Sequence, residues 1–323
     1  MLIPKITPTL TLYLLIIVFL CCGASISLSQ SLRYGGLIFD AMAQIDERTD
    51  FFKAIKKVRK SGVSKLALFA RSRKYLGQNE DEVLELRNSH KDLIILGSPK
   101  YFLLRDDLDE DYISTTLENI IKYNYLFIGE ILYTHADKSH GEQTLRGERY
   151  VDPLQPGTKK FFNELSRFNI PVMTHWEVYN WERDWPRFSK IYSEYRDLNF
   201  IIPHMAFGHP HQVEKILSVN PNVYMTISKK EKDQRSYSDR NKASKLGPGF
   251  LDSSKMLRKS WALIFDKYQD RLLFATDAHK RPRWKKYRKI IRIYRKILGQ
   301  LPRPIAEKVA YKNAANLYGV IVE

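Results

Sequence analysis

Short apolar runs alternate with amphipathic helical stretches from residue 37 to residue 298, and this alternation constrains the fold more than any other feature. The apolar runs are rich in Val, Ile, Leu and Phe, which is typical of strands buried on both faces. A strand followed by a helix, repeated eight times, favours parallel strands joined by right-handed crossovers. The predicted strands are residues 37–44, 65–71, 93–98, 125–133, 171–175, 199–204, 223–228 and 272–277.

The helical stretches between these strands carry apolar residues on one face only, as surface helices do. A closed eight-stranded α/β barrel, the (β/α)8 TIM barrel, is the most economical arrangement. A doubly wound open sheet is the alternative, but no Gly-rich phosphate loop follows the first strand. We expect one barrel domain over residues 30–323. The predicted helices are residues 49–60, 80–90, 109–123, 158–168, 185–197, 211–219, 253–268 and 284–298.

The N-terminal residues 1–29 have the pattern of a secretory leader. Lys5 precedes an apolar run over residues 10–20, and small residues follow at 23–27. Because both cysteines, Cys21 and Cys22, lie in this segment, the remainder of the chain has no thiol chemistry. We expect an exported protein of the bacterial periplasm, with a membrane-anchored protein that keeps its leader as the alternative.

The formal net charge of +17 predicts attraction to anionic partners. The charge is concentrated over residues 280–303, where eleven residues are basic and none is acidic. The apolar residues of the helix predicted in this segment form a stripe that should dock on the barrel, so the opposite face of the helix forms a basic strip on the outside. Such a strip is usually only solvated, but in an exported protein it could also rest on an anionic membrane surface. Nucleic-acid binding is not expected, because no recognition motif accompanies the charge.

Four potential metal-site residues stand at the predicted carboxyl ends of strands. Glu130 ends the fourth strand, His175 the fifth, His204 the sixth and Asp277 the eighth. These ends converge in a barrel, so residues far apart in sequence can meet there. Two imidazoles and a carboxylate with an open position for water are a common catalytic zinc set, and a further carboxylate can act as general base. Taken singly, a strand-end histidine is more often a hydrogen-bonded core residue, and such an aspartate more often a helix cap.

The order of these residues, the run Phe274-Ala275-Thr276-Asp277 and the tail over residues 310–320 resemble the amidohydrolase superfamily. The similarity is greatest to the amidohydrolase-related (amidohydrolase-2) group of metal-dependent hydrolases and decarboxylases. The resemblance covers nearly all of residues 37–320. It implies a distorted (β/α)8 barrel of the metal-dependent hydrolase type, with one or two divalent metals and water activated by metal and aspartate.

The first strand departs from the family pattern, because Met42 and Gln44 stand where the family usually has His-x-His. A thioether is a poor ligand for a hard cation, and an amide oxygen is only a fair one. In one interpretation Glu130, His175 and His204 hold a single divalent metal, expected to be Zn²⁺, and Asp277 is the base. In the other, the barrel is metal-free, either as an enzyme or as an inactive protein that binds a ligand or partner at the membrane surface. The metal interpretation is favoured, since an unpaired buried carboxylate such as Glu130 is costly.

We expect a small, anionic substrate. The loop after the fifth strand offers aromatic residues, Trp176, Tyr179 and Trp181, as a stacking wall, together with Arg183 to bind an anion. Packing against the next helix is the alternative for these aromatics. Gln44 and His279 are further predicted substrate contacts, and a surface position at a helix start is the alternative for His279. Two long connections, residues 134–157 and 229–250, follow strands and are predicted to lie at the mouth.

Overall fold

Eight short parallel strands form a barrel in the computed structural model, which describes residues 33–71, 79–102, 107–135, 149–231 and 246–322. Three further strands of two residues each add to the rim, Tyr101–Phe102, Thr134–His135 and Arg149–Tyr150. The strands in chain order are β1 (Phe39–Ile45), β2 (Lys65–Ala70), β3 (Ile94–Leu96), β4 (Tyr101–Phe102), β5 (Ile128–Leu132), β6 (Thr134–His135), β7 (Arg149–Tyr150), β8 (Val172–His175), β9 (Phe200–Ile202), β10 (Val223–Thr226) and β11 (Leu272–Leu273).

The barrel closes through backbone pairing at two seams. One sheet has the order β1-β2-β3, and the other has the order β11-β10-β9-β8-β5-β4. A parallel bridge between Gly97 and Phe127 joins β3 to β5. At the second seam the amide of Ala41 donates to the carbonyl of Phe274 at 2.9 Å, and the amide of Asp277 donates to the carbonyl of Met42 at 3.0 Å. The predicted closed barrel is therefore confirmed, and the open sheet is excluded.

Side chains fill the barrel interior, because alternate residues of each strand point towards the axis. Outward-facing residues pack under the surrounding helices in a second, larger core. The barrel therefore has a packed interior and no pore, and the reactive groups have to lie at its rim. The interior residues include Phe39, Ala41, Met42, Ala67, Phe69, Ile95, Phe127, Met173, Ile201, Leu273 and Ala275.

Helices surround the barrel, and the carboxylate of Asp50 caps the first of them by accepting from the amide of Lys53 at 2.9 Å. Asp109 caps α3 in the same way, so both helices begin where the sequence supplies an acceptor for an unpaired amide. The helices are α1 (Phe51–Lys60), α2 (Glu80–Ser89), α3 (Glu110–Tyr123), α4 (Pro156–Leu165), α5 (Trp181–Glu194), α6 (Pro210–Val219), α7 (Lys259–Lys267), α8 (Arg281–Lys285), α9 (Tyr287–Leu298), α10 (Arg303–Glu307) and α11 (Asn313–Tyr318), with a π-helical turn at Lys308–Lys312.

The predicted helix bounds differ most from the structure in three places. α5 begins a turn earlier than residue 185, because Pro186 is accommodated inside the helix. α7 begins at Lys259 instead of residue 253, because a bridge between Leu251 and Leu257 turns the chain first. The helix predicted over residues 284–298 is divided at Lys286, where α8 ends and α9 follows.

The tail at residues 313–318 closes the amino-terminal end of the barrel. The ring of Tyr318 lies 5.6 Å from that of Phe39 and 5.1 Å from that of Phe127, and its hydroxyl donates to the carbonyl of Ala41 at 2.8 Å. The side-chain amide of Asn313 donates to the carbonyl of Leu272 at 2.9 Å. The tail therefore plugs the end of the barrel opposite the predicted site.

Several sequence predictions lie outside the described residues. These are the leader over residues 1–29 and most of both long connections. The described ends of the first connection pair as a ribbon, with Thr134 opposite Tyr150 and His135 opposite Arg149. Within the described ranges, no helix combines the length and apolar character needed to cross a membrane.

Candidate metal centre

Three potential metal ligands meet at the carboxyl ends of neighbouring strands. Glu130 lies in β5, His175 ends β8, and His204 follows β9. One ligand atom from each lies within 4.8 Å of the others, and all three side chains are buried. Asp277 follows β11 and approaches from the far side of the barrel, with its Oδ2 3.9 Å from His204 Nε2. The structure thus brings together the four strand-end residues that the sequence singled out.

His204 is held in a strained turn. His204, Met205, Ala206 and Phe207 all have left-handed backbone angles, with φ of 58°, 51°, 51° and 54°. Such conformations cost free energy in non-glycine residues and are concentrated at functional sites. The His204 amide donates to Thr226 Oγ1 at 3.0 Å, and its Nδ1 lies 2.7 Å from the Ser228 hydroxyl. These contacts from β10 and the residues after it fix the ring and leave Nε2 directed towards Asp277.

Glu130 is a buried carboxylate with a contact on each oxygen. Oε1 lies 2.5 Å from His175 Nδ1. Oε2 accepts from Gln44 Nε2 at 3.1 Å and from the ammonium of Lys100. The other ring nitrogen of His175, Nε2, lies 3.3 Å from the carboxylate of Glu177. The carboxylate is therefore oriented by three elements, and Lys100 balances its charge.

Gln44 occupies the position of the second histidine in the family's first-strand pair. Its amide nitrogen donates to Glu130 and, at 2.8 Å, to Asp277 Oδ1, so it bridges the two carboxylates. Its carbonyl oxygen accepts from Arg71 at 3.2 Å. The amide therefore fixes the carboxylates and does not present its oxygen as a ligand. Met42 lies in the barrel interior.

Asp277 is ionised at neutral pH. Burial raises the pKa of Asp277, but Lys229, His279 and His204 together hold it well below its ordinary value. Lys229 Nζ lies 2.5 Å from Oδ2, and His279 Nδ1 lies 3.2 Å from the same oxygen. Burial lowers the pKa of His279 to about 4, so this ring is neutral at pH 7. His279 therefore contacts Asp277 and is not the surface residue of the alternative interpretation.

The aromatic loop after β8 corrects one prediction. Trp176 is 0% exposed, stacks on Phe188 at 4.7 Å and donates its indole N–H to Tyr192, so it packs against α5 and cannot face a substrate. Trp181 stacks on Trp185 at 5.1 Å. The aromatic predictions overlooked that α5 begins at Trp181, which turns these rings towards one another.

Tyr179 and Arg183 belong to the same cluster. Tyr179 is buried, and the Arg183 guanidinium lies 3.8 Å from the ring centroid of Tyr150 and pairs with Asp184 at 2.6 Å. A substrate anion that binds Arg183, as predicted, has to compete with Asp184 and Tyr150 for the guanidinium. Roles in substrate binding for Tyr179, Trp181 and Arg183 stay predictions.

The sequence interpretation did not assign roles to several residues of the centre. Lys100, Glu177, Ser228 and Lys229 all contact one of the four strand-end residues. Lys100 and Glu177 lie in loops whose sequences give no sign of these contacts. A signal was available for Ser228 and Lys229, because they directly follow the strand β10, whose carboxyl end opens on the same mouth.

Asp40 supports the Asp277 turn from within the barrel wall. It is fully buried and accepts from the amide of Thr276 at 2.8 Å, from the Thr276 hydroxyl at 2.6 Å and from the Tyr287 hydroxyl at 2.8 Å. Burial raises the pKa of Asp40 to about 6 despite these hydrogen bonds. Because Thr276 directly precedes Asp277, this network positions the predicted base.

We expect Asp40 to make the protein less stable as the pH rises from about 4 to about 7. A carboxyl group with a raised folded-state pKa contributes stability below its unfolded pKa, and this contribution is lost as pH rises through the folded value. The shift from 3.8 to about 6 corresponds to roughly 3 kcal/mol. Asp40→Asn keeps an acceptor for the Thr276 amide and cannot ionise. Urea unfolding from pH 4.5 to 7.5 measures this effect. As the pH rises, the unfolding free energy of Asp40→Asn should increase relative to that of the wild type. A difference between the two free energies that does not change with pH would contradict this assignment.

Comparison with known proteins agrees with this geometry. A family profile described as Amidohydrolase matches residues 133–320, which is more than half of the chain. That segment contains His175, His204 and Asp277. No curated protein matches the sequence.

Solved structures show the same fold at low identity. An uncharacterised TIM-barrel protein from Bordetella bronchiseptica is 12% identical with a TM-score of 0.55, and the match covers 82% of this chain and 81% of that one. A probable 2-pyrone-4,6-dicarboxylic acid hydrolase from Acinetobacter baumannii with bound citric acid is 12% identical with a TM-score of 0.53, covering 88% and 97%. A 2,6-dihydroxybenzoate decarboxylase is 13% identical with a TM-score of 0.53, covering 89% and 100%.

These similarities establish the barrel architecture, and the profile match identifies the lineage. The matched region includes β8 to β11, three of the four strand-end residues and the tail that plugs the barrel, whereas Glu130 precedes it. The chain belongs to the amidohydrolase family.

Proposed function

We propose that this chain is a metal-dependent hydrolase in which Glu130, His175 and His204 hold one divalent cation and Asp277 is the general base. The observation that carries the proposal is the convergence of three buried ligand atoms within 4.8 Å of one another. Two imidazole nitrogens and one carboxylate oxygen form a donor set suited to Zn²⁺ and to Mn²⁺. When bound, such a cation makes water acidic near neutral pH and polarises a substrate carbonyl.

The surrounding residues orient the donors as metal ligands usually are oriented. Ser228 contacts the Nδ1 of His204, and Lys100 and Gln44 hold the Oε2 of Glu130. Outer contacts of this kind fix the tautomer and direction of ligands. Glu130 Oε1, which faces His175, is then the oxygen available to a cation.

Asp277 is placed where a general base is needed, but its carboxylate has a lower proton affinity than an ordinary aspartate. The carboxylate is ionised, yet the adjacent Lys229 ammonium reduces its proton affinity. Lys229 is 27% exposed and is also within reach of the mouth. An anionic substrate that draws this ammonium towards itself raises the pKa of Asp277 into a more useful range for proton transfer. This coupling supports a small substrate with a carboxylate or similar anion.

A metal-loading experiment tests the proposal. After chelation, wild-type protein is incubated with Zn²⁺ or Mn²⁺, dialysed and subjected to elemental analysis, and we expect about one ion per chain. His175→Ala and Glu130→Gln should retain none, whereas His211→Ala, at an exposed histidine of α6, should load normally. Cation at 100 times its dissociation constant should raise the unfolding free energy by about 2.7 kcal/mol. No bound ion in the wild type, or full loading of His175→Ala, would refute the metal centre.

The loaded protein then identifies the reaction. Paired esters, lactones and amides, each with and without a carboxylate, test hydrolysis and the preference for an anion. Aromatic acids test decarboxylation, the activity named for one of the similar structures. Release of carbon dioxide without hydrolysis of any ester, lactone or amide would show that the protein is a decarboxylase and not a hydrolase.

A second candidate is a metal-free barrel that binds a ligand. Lys100 and Lys229 already place an ammonium group on Glu130 and on Asp277, and this neutralises the charge that a cation would otherwise balance. Failure of metal loading together with retained binding of small carboxylates would select this candidate.

A further inference from the structure

The outer faces of α1, the end of α8 and α9 form one basic flank on the barrel, and we propose that this flank docks the protein on an anionic phospholipid surface. The inference concerns a different face from the metal centre and does not depend on it. The exposed members of the flank are Lys53, Lys56, Arg59, Lys60, Lys285, Lys286, Arg288, Lys289, Arg292 and Lys296.

The two helices lie side by side. Lys57 Nζ donates to the carbonyl of Trp284 at 3.2 Å, and Arg295 donates to the carbonyl of Gly62 at 3.0 Å. α9 buries an apolar stripe of Ile290, Ile291, Tyr294, Ile297 and Leu298 against the barrel. Its basic residues are therefore directed outwards, next to those of α1.

The charge on the flank is mostly not neutralised by the protein. Lys53 pairs with Asp50 at 2.8 Å and Arg59 with Asp92 at 2.9 Å. In the part of the chain that the structure describes, no carboxylate lies within ion-pair distance of the other eight members. A surface with this much unbalanced positive charge is attracted to an anionic interface, at about 1 kcal/mol for each Lys or Arg close to it.

The chain enters the barrel at the same flank. The amide of Tyr34 donates to the Arg295 carbonyl at 2.7 Å, and the Arg295 guanidinium donates to the carbonyls of Tyr34 at 3.0 Å and Gly36 at 2.8 Å. The apolar run expected to act as a leader lies just upstream.

An exposed aromatic residue favours a bilayer over other anionic partners. Phe52 is 76% exposed at the start of α1, among the lysines of the flank. An aromatic ring surrounded by cationic side chains suits the headgroup region, where it buries apolar surface while the charges remain hydrated. With α1 and α9 against the bilayer, the mouth of the barrel opens to the side and stays accessible.

Charge reversal on the full-length protein tests the docking surface. The flank variant carries Lys289→Glu, Arg292→Glu and Lys296→Glu. The control carries Lys122→Glu, Arg196→Glu and Lys215→Glu, which are exposed positions on other sides of the barrel and give the same net charge. Binding is measured by co-sedimentation with phosphatidylcholine vesicles, with and without phosphatidylglycerol. We expect the flank variant to lose at least about 10-fold in affinity for anionic vesicles relative to the control.

Neutral vesicles distinguish binding by the flank from binding by the leader, because an apolar leader partitions into neutral and anionic vesicles alike. All three proteins should bind neutral vesicles equally. Equal binding of the flank and control variants to anionic vesicles would overturn the proposal. Tighter binding of the wild type to duplex DNA than to anionic vesicles at physiological salt would assign the flank to nucleic acid instead.

A fluorescent reporter gives an independent measurement. Phe52→Trp introduces an exposed indole, and its emission should shift to shorter wavelength on anionic vesicles and be quenched by brominated lipid. A vesicle-induced change in emission that is no larger in Phe52→Trp than in the wild type would show that this face does not contact the bilayer.

Discussion

Asp277→Asn should lower kcat by about 10²- to 10⁴-fold while leaving metal content unchanged, because the proposed role of Asp277 is proton transfer and not ligation. The amide keeps the shape of the side chain. Its oxygen can still accept from Gln44, whose Nε2 lies 2.8 Å from Asp277 Oδ1 in the wild type. It cannot accept the proton of an attacking water. The measurement is steady-state hydrolysis of whichever substrate the panel identifies, combined with elemental analysis.

Asp270→Asn is the matched control, since Asp270 is an exposed carboxylate shortly before β11. Activity within a few-fold of wild type in Asp277→Asn would remove the residue from the mechanism. Simultaneous loss of metal and activity would make it a ligand instead. Lys229→Met supplies a further readout: because Lys229 lowers the pKa of Asp277, its removal should shift the acidic limb of the pH–rate profile to higher pH.

Lys100→Met should destabilise the metal-free protein by about 3–5 kcal/mol, the usual cost of leaving one partner of a buried ion pair uncompensated. Lys100 is 6% exposed and Glu130 is 1% exposed, so little solvent reaches either charge. A bound divalent cation neutralises Glu130 as the ammonium does. Added Zn²⁺ should therefore stabilise this variant more than it stabilises the wild type.

Urea unfolding with and without Zn²⁺ measures both effects. The double variant Lys100→Met/Glu130→Gln removes both charges and should recover part of the lost stability in chelator, as expected for a directly coupled pair. Lys65→Met, at a lysine whose side chain donates to the backbone carbonyl of Asp92, is the control. A small loss in Lys100→Met, unaffected by Zn²⁺, would show that Lys100 and the cation do not share Glu130.

The sequence predicted the barrel well because its strands are buried on both faces and stand out as apolar runs. It located His175, His204 and Asp277 for the same reason, since each lies at or just after the end of such a run. Glu130 was expected to end its strand but is the middle residue of β5. The aromatic loop was harder to interpret. Whether Trp176 faces a substrate or a helix depends on where α5 begins, and both arrangements need the same residues.

The contacts of the two lysines in the centre could not be predicted from sequence patterns, although the position of Lys229 after a strand places it at the mouth. Lys100 follows a two-residue gap after Gly97 and resembles any surface lysine until the fold places it on Glu130. Lys229 has a left-handed backbone with φ of 59°, which directs its side chain to Asp277, and nothing in its neighbours signals this conformation. Charge pairing across a barrel depends on tertiary contacts between residues far apart in the chain.

The plug formed by Tyr318 has a consequence for the timing of biosynthesis. β1 is made early, but its outer edge pairs with residues near Phe274 and its inner face packs on the tail, so both wait for the last parts of the barrel to be made. Contacts of such large sequence separation form slowly. In a nascent chain β1 can pair early with β2, but its other edge stays open until the residues near Phe274 have been made. The barrel therefore closes only after almost the whole chain has been made, when Tyr318 packs against Phe39.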